Sequence, residues 1–142
     1  MKKITSFTID HLNHPAGIYL SRQDGDVYTY DVRICKPYTD EILSNSALHS
    51  LEHLLATILR NDEEQTVYVG PMGCQTGFYV LFRDVELIEA SEKIKKAFRK
   101  IAVYDGEMPG GSKVECGYCF NLSVQSAKET AVLFLQRLGE KI

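Results

Sequence analysis

Val27-Tyr28-Thr29-Tyr30-Asp31-Val32-Arg33-Ile34-Cys35 alternates with a period of two, and that stretch decides the fold class. Tyr28, Tyr30, Val32 and Ile34 make an apolar face, while Asp31 and Arg33 stand on the other. Such a strand belongs to a sheet covered on one side, which is the habit of antiparallel sheets. Upstream, Gln23-Asp24-Gly25-Asp26 is a hairpin turn and Ile18 to Ser21 reads as the partner strand. His14-Pro15-Ala16-Gly17 breaks the chain, and Ser6 to Ile9 reads as a further short strand. Downstream, Pro37 ends the strand, and Thr66 to Val69 and Thr76 to Arg83 read as two more around a tight Gly70-to-Cys74 loop. Three segments carry helical spacing instead. One starts at a cap of Asn45 or Ser46 and runs through Leu48, Leu51, Leu54, Leu55, Ile58 and Leu59. Leu87 to Ala102 has Ile94, Ala97, Phe98 and Ile101 as its stripe. The last is capped by Ser123 and runs to about Leu138, where Gly139 stops it. Lys113 to Phe120 fits neither pattern. Strands and helices do not alternate one for one, so the expectation is an α+β fold: a largely antiparallel sheet with helices on one face.

Length and composition narrow the classes. The 142 residues suit one domain spanning 1–142, and 44% apolar with 25% charged residues is the balance of a globular protein. A net charge of −3 leaves no basic footprint for nucleic acid. No apolar run has the length of a membrane span, and the N-terminus has no signal-peptide core. A cytoplasmic protein is expected, with Cys35, Cys74, Cys116 and Cys119 as reduced thiols.

The chemistry starts at His49-Ser50-Leu51-Glu52-His53. On a helix, positions i, i+3 and i+4 share a face, so both imidazoles can grip one cation with Glu52 beside them to move a proton. A single histidine on such a helix would be an ordinary flank residue; the pair with its glutamate is a chelate. The order His-x-x-Glu-His is also the inverzincin signature, which makes a metallopeptidase one reading and a different small metal enzyme another. Two histidines need a third ligand, and Cys116 and Glu129 are the candidates. Cys74, in Pro71-Met72-Gly73-Cys74-Gln75-Thr76-Gly77, is either a small buried hydrophobe or a thiol exposed on a turn for use as a base. Arg33 is either half of a solvated pair with Asp31 or a fork for a substrate carboxylate. Cys116-Gly-Tyr-Cys119 is a lone C-x-x-C without a thioredoxin-type context, which leaves Cys119 as a bystander.

Taken in order, these blocks resemble the LuxS family of S-ribosylhomocysteine lyases over nearly the whole chain. The matching stretches are Ser6-Phe7-Thr8-Ile9-Asp10-His11, Tyr30-Asp31-Val32-Arg33, Leu48 to Ala56, Gly70 to Tyr79 and Glu115-Cys116-Gly117. The resemblance implies a LuxS/inverzincin-like architecture with His49, His53 and Cys116 binding the metal. That metal would be ferrous iron, replaceable by zinc or cobalt. It implies Cys74 and Glu52 as the acid–base pair, and Ser6, His11 and Arg33 as substrate contacts. It further implies a homodimer with active sites at the subunit interface. The reaction implied cleaves the thioether of S-ribosylhomocysteine to homocysteine and 4,5-dihydroxy-2,3-pentanedione, the autoinducer-2 precursor of quorum sensing. A non-catalytic metal- or thiol-binding relative is the other alternative beside the peptidase. One departure stands out: where the family often has Asp-Ile-Ser ahead of Pro-Met-Gly-Cys, this chain has Tyr68-Val69-Gly70.

Overall fold

A computed structural model describes residues 1–141. Four strands form one antiparallel sheet: β1 (Gly17–Asp24), β2 (Val27–Arg33), β3 (Thr66–Pro71) and β4 (Gly77–Arg83). Their spatial order is β1-β2-β4-β3, so the two hairpins meet through β2 and β4. Helices α1 (Asn45–Asp62), α2 (Leu87–Ala102) and α3 (Val124–Arg137) complete the α+β architecture.

The alternation along β2 sets the layers. Tyr30 and Val32, with Phe78, Val80 and Phe82 from β4, are buried in one core with Leu51, Leu54, Leu55, Ile94, Phe98 and Phe134 from the helices. Complete removal of such side chains from water stabilises by roughly 1.5–3 kcal/mol each. The reverse face differs from the expectation. Asp31 and Arg33 are as buried there as the core side chains, because the N-terminal segment lies across them. His14 bonds Asp31 from that segment, and Ser6 accepts a bond from Tyr79, the residue opposite Asp31 in the ladder.

That segment also corrects a predicted element. Ser6 to Ile9 is no strand; Thr5–Thr8 is a 3-10 turn, followed by a second at His11–Asn13. Phe7 N–H bonds the Ile4 carbonyl and the Thr8 hydroxyl bonds the Thr5 carbonyl, so one backbone bond and one hydroxyl close the turn locally. The cap of α1 is likewise one residue earlier than predicted: Ser44 accepts from Ala47 N–H at 3.0 Å. Asn45 and Ser46 are taken by tertiary partners, the Gln75 amide and the Asn121 carbonyl. Ser123 caps α3 and α2 has its predicted bounds. The ambiguous stretch Lys113 to Phe120 contains only turns and bends.

Candidate active site

α1 projects His49 and His53 from its partly buried flank, one turn apart, with their rings edge to face at 4.7 Å between centroids. The loop between α2 and α3 brings Cys116 to them. Its Sγ lies 3.4 Å from His49 Nε2 and 3.7 Å from His53 Nε2. Two ligands of a tetrahedral ion, one at about 2.0–2.1 Å through nitrogen and one at about 2.3 Å through sulfur, stand about 3.5 Å apart. The spacing therefore fits a metal ion held by these three residues.

The other nitrogen of each ring is already committed. His49 Nδ1 lies 2.7 Å from Asn121 Oδ1, and His53 Nδ1 lies 2.9 Å from the Pro109 carbonyl. Both oxygens accept, so both rings carry their proton on Nδ1 and turn an Nε2 lone pair toward the sulfur. Neither Asn121 nor Pro109 stands in a motif. Two further contacts hold that loop to α1: the Ser46 hydroxyl donates to the Asn121 carbonyl, and Ser123 N–H donates to the Ser50 hydroxyl. Gly110 has φ +65°, and a Cβ there would come within 3.2 Å of His53 Nδ1, so only glycine lets the loop pass this close to the ring.

Among the described residues these three form the one group of ligand atoms within 4.8 Å of one another. Glu129, the other candidate ligand, is exposed on α3, where its carboxylate accepts from Gln125. All four cysteines are free thiols, and Cys119 is half-buried.

Cys74 is exposed on the β3–β4 loop. Gln75, at φ +63°, turns the backbone so that its side chain bonds the Leu43 carbonyl while its own carbonyl accepts from Leu43 N–H. The thiol opens into a concavity of about 280 Å³ shared with His11, Arg33, Tyr38 and Thr76. Arg33 is not a solvated residue. It binds Asp31 side-on through Nε and Nη2 at 3.1 and 2.8 Å, which leaves Nη1 facing Thr76 and, at 4.0 Å, Cys74 Sγ. The fork proposed for a substrate carboxylate is therefore occupied by Asp31, and only Nη1 faces the concavity. Beside this cluster, burial first and the Asp31 carboxylate second push the Tyr19 phenol up.

Glu52 and His53 line a second concavity, about 310 Å³, with Tyr68, Thr57, Arg60 and Gly110. Tyr68 stands half-exposed on its wall with its ring over Gly70, where a Cβ would lie 2.5 Å from the ring. Tyrosine at 68 and glycine at 70 are thus sterically coupled.

An α+β protein with two imidazoles and a cysteine sulfur grouped so that they could hold a metal ion is the class these features define. The sequence matches the family model S-Ribosylhomocysteinase (LuxS) over residues 4–142. It is 42% identical over 147 aligned positions to the S-ribosylhomocysteine lyase of Borreliella burgdorferi (strain ZS7), covering 98% of this chain and 94% of that protein. It is 42% identical to the S-ribosylhomocysteine lyase of Desulfotalea psychrophila (100% and 94% covered). With that of Clostridium beijerinckii it shares 39% (95% and 90% covered). The chain belongs to the LuxS family.

Proposed function

We infer that this protein is a metal-dependent carbon–sulfur lyase that cleaves S-ribosylhomocysteine to homocysteine and 4,5-dihydroxy-2,3-pentanedione. The observation that carries the reading is the convergence of His49, His53 and Cys116 beside Glu52 in a chain of this family. The thioether is not hydrolysed. The sugar carbonyl migrates by proton transfers through enediolates until it stands where β-elimination of the thiolate is allowed.

His49, His53 and Cys116 would hold a divalent cation, which when bound would supply Lewis-acid stabilisation of the negative charge that develops in the enediolates. Cys74, as thiolate, removes and returns carbon-bound protons. Glu52 serves the hydroxyl protons and the final elimination. Two bases suit a path in which protons leave different carbons at different steps. Ser6, His11 and Arg33 bind the substrate; His11 and Arg33 share the concavity of Cys74, which supports that role. The metal is ferrous iron, with zinc or cobalt as replacements, and a thiolate with two imidazoles is a donor set that suits all three.

The active form is a homodimer whose sites combine residues of both chains. Two observations support this. Cys74 and Glu52 line separate concavities within one chain. The turns carrying Ser6 and His11 also expose Phe7 and Leu12, each at 68%. The whole chain acts as a single catalytic domain in the cytoplasm, with neither nucleic acid nor membrane as partner; no described helix is long and apolar enough to cross a bilayer. The pentanedione is the autoinducer-2 precursor.

The test is thiol release from S-ribosylhomocysteine, followed with a thiol reagent on anaerobically iron-loaded protein. Stoichiometric homocysteine and dicarbonyl support the reading. Full metal occupancy without turnover contradicts it.

A further inference from the structure

Cys74 stands at the end of a buried polar chain. Asp31, Arg33, Thr76 and His14 are 0, 1, 4 and 7% exposed. His14 Nε2 and Arg33 Nη2 share Asp31 Oδ2 at 2.9 and 2.8 Å. With Nε also on Asp31, the guanidinium cannot rotate, and Nη1 meets Thr76 Oγ1 at 2.8 Å. Thr76 Oγ1 lies 3.1 Å from Cys74 Sγ. The Thr76 backbone is fixed as well, its carbonyl accepting from the N–H groups of Ile34 and Cys35 at 2.9 and 3.0 Å.

Donor chemistry sets the direction of this chain. A guanidinium has no acceptor, so the Thr76 oxygen accepts from Arg33 and keeps its own proton. A buried hydroxyl proton needs an acceptor, and the atom beside it is the Cys74 sulfur. We propose that Thr76 is a further functional residue, donating its hydroxyl to the Cys74 thiolate, with Arg33 polarising it and His14 and Asp31 as positioning residues behind the arginine. The inference rests on the reading of Cys74 as the carbon base. When the sulfur takes a proton from carbon, the hydroxyl goes on donating to a remaining lone pair of the thiol sulfur, more weakly than to the thiolate. Thr76 therefore serves both states without ionising. Besides Arg33, the charged and titratable groups around the thiol include His11, Asp40 and Tyr38, which line its concavity, and the buried Cys35 thiol behind it. His11, Tyr19, Asp31 and Arg33 surround His14.

The experiment is alkylation of Cys74 by iodoacetamide in metal-loaded protein, read by peptide mass spectrometry. Thr76→Val keeps the shape and removes the hydroxyl. Its Cys74 should react on the order of tenfold more slowly at pH 7, the size of one hydrogen bond to a charged atom. Thr76→Ser should restore the rate, and the difference should close at strongly alkaline pH, where thiols ionise whatever their neighbours. Turnover by Thr76→Val should fall in kcat with KM unchanged. His14→Leu should slow alkylation several-fold. Equal neutral-pH rates in Thr76→Val and the unmodified protein overturn the proposal, and an unchanged His14→Leu removes the positioning role. Should Thr76→Val not fold, Thr76→Ala carries the same measurement. Alkylation does not depend on turnover, so a protein inactive on S-ribosylhomocysteine would sink the function while the Thr76 result still stood.

Discussion

Asn121 carries no charge and belongs to no motif, yet its side chain fixes the tautomer of His49. Asn121→Ala should weaken metal binding by about 10–100-fold with α1 intact, as measured by competition with a chromophoric chelator. His53→Ala should lose the metal altogether, whereas Cys74→Ala should keep it and lose nearly all catalysis. Metal analysis beside turnover separates the two. A Cys74→Ala protein without metal would show that ligand and base had been confused. The sequence exposes these roles unevenly for a physical reason. His49, Glu52 and His53 are legible because helical spacing puts them together. Asn121, Thr76 and His14 contact His49, Arg33 and Asp31, which are 72, 43 and 17 residues away along the chain, and nothing in their local pattern signals the partner. The burial of Arg33 was hidden likewise, since strand alternation names two faces without saying what covers the second.

Among the elements, α1 matters most because it carries both imidazoles. Its cap, Ser44, is exposed and its hydroxyl accepts from Ala47 N–H, so Ser44→Ala should cost about 1 kcal/mol in urea unfolding without moving the metal group. Lys93 ties α2 to the loop after α1 through Glu63 at 2.5 Å. The hydrogen bond to Glu63 raises the Lys93 pKa above its ordinary 10.5, against an opposing effect of burial. A raised lysine stabilises the fold fully below its unfolded pKa and loses that contribution as pH rises through the folded one. The contribution of this pair should therefore be constant at neutral pH and fade in the alkaline range, and Lys93→Met should make the alkaline slope shallower in a pH series of denaturation midpoints, with the buried Tyr30 phenol supplying part of what remains. At this scale the sequence was most legible where periodicity is long: α2 has its predicted ends. It was least legible where hydroxyl side chains compete with the backbone, as at Thr5–Thr8 and at the cap of α1.

For the whole molecule, one sheet holds the Cys74 loop while α1 and the α2–α3 loop hold the metal group, so assembly rather than any single element makes the site. Sedimentation at micromolar concentration should find a dimer, and Phe7→Glu should shift it toward monomer and remove turnover while Cys74 stays alkylatable. The proposed chemistry depends on one divalent cation shared by His49, His53 and Cys116. The most direct measurement is the absorption spectrum of the cobalt-substituted protein during titration of the metal. The titration should end at a single equivalent, with intense tetrahedral ligand-field bands and a thiolate-to-cobalt charge-transfer band that disappears in Cys116→Ser and survives in Glu129→Ala. A protein that binds cobalt without the thiolate band, or keeps that band in Cys116→Ser, contradicts the shared site.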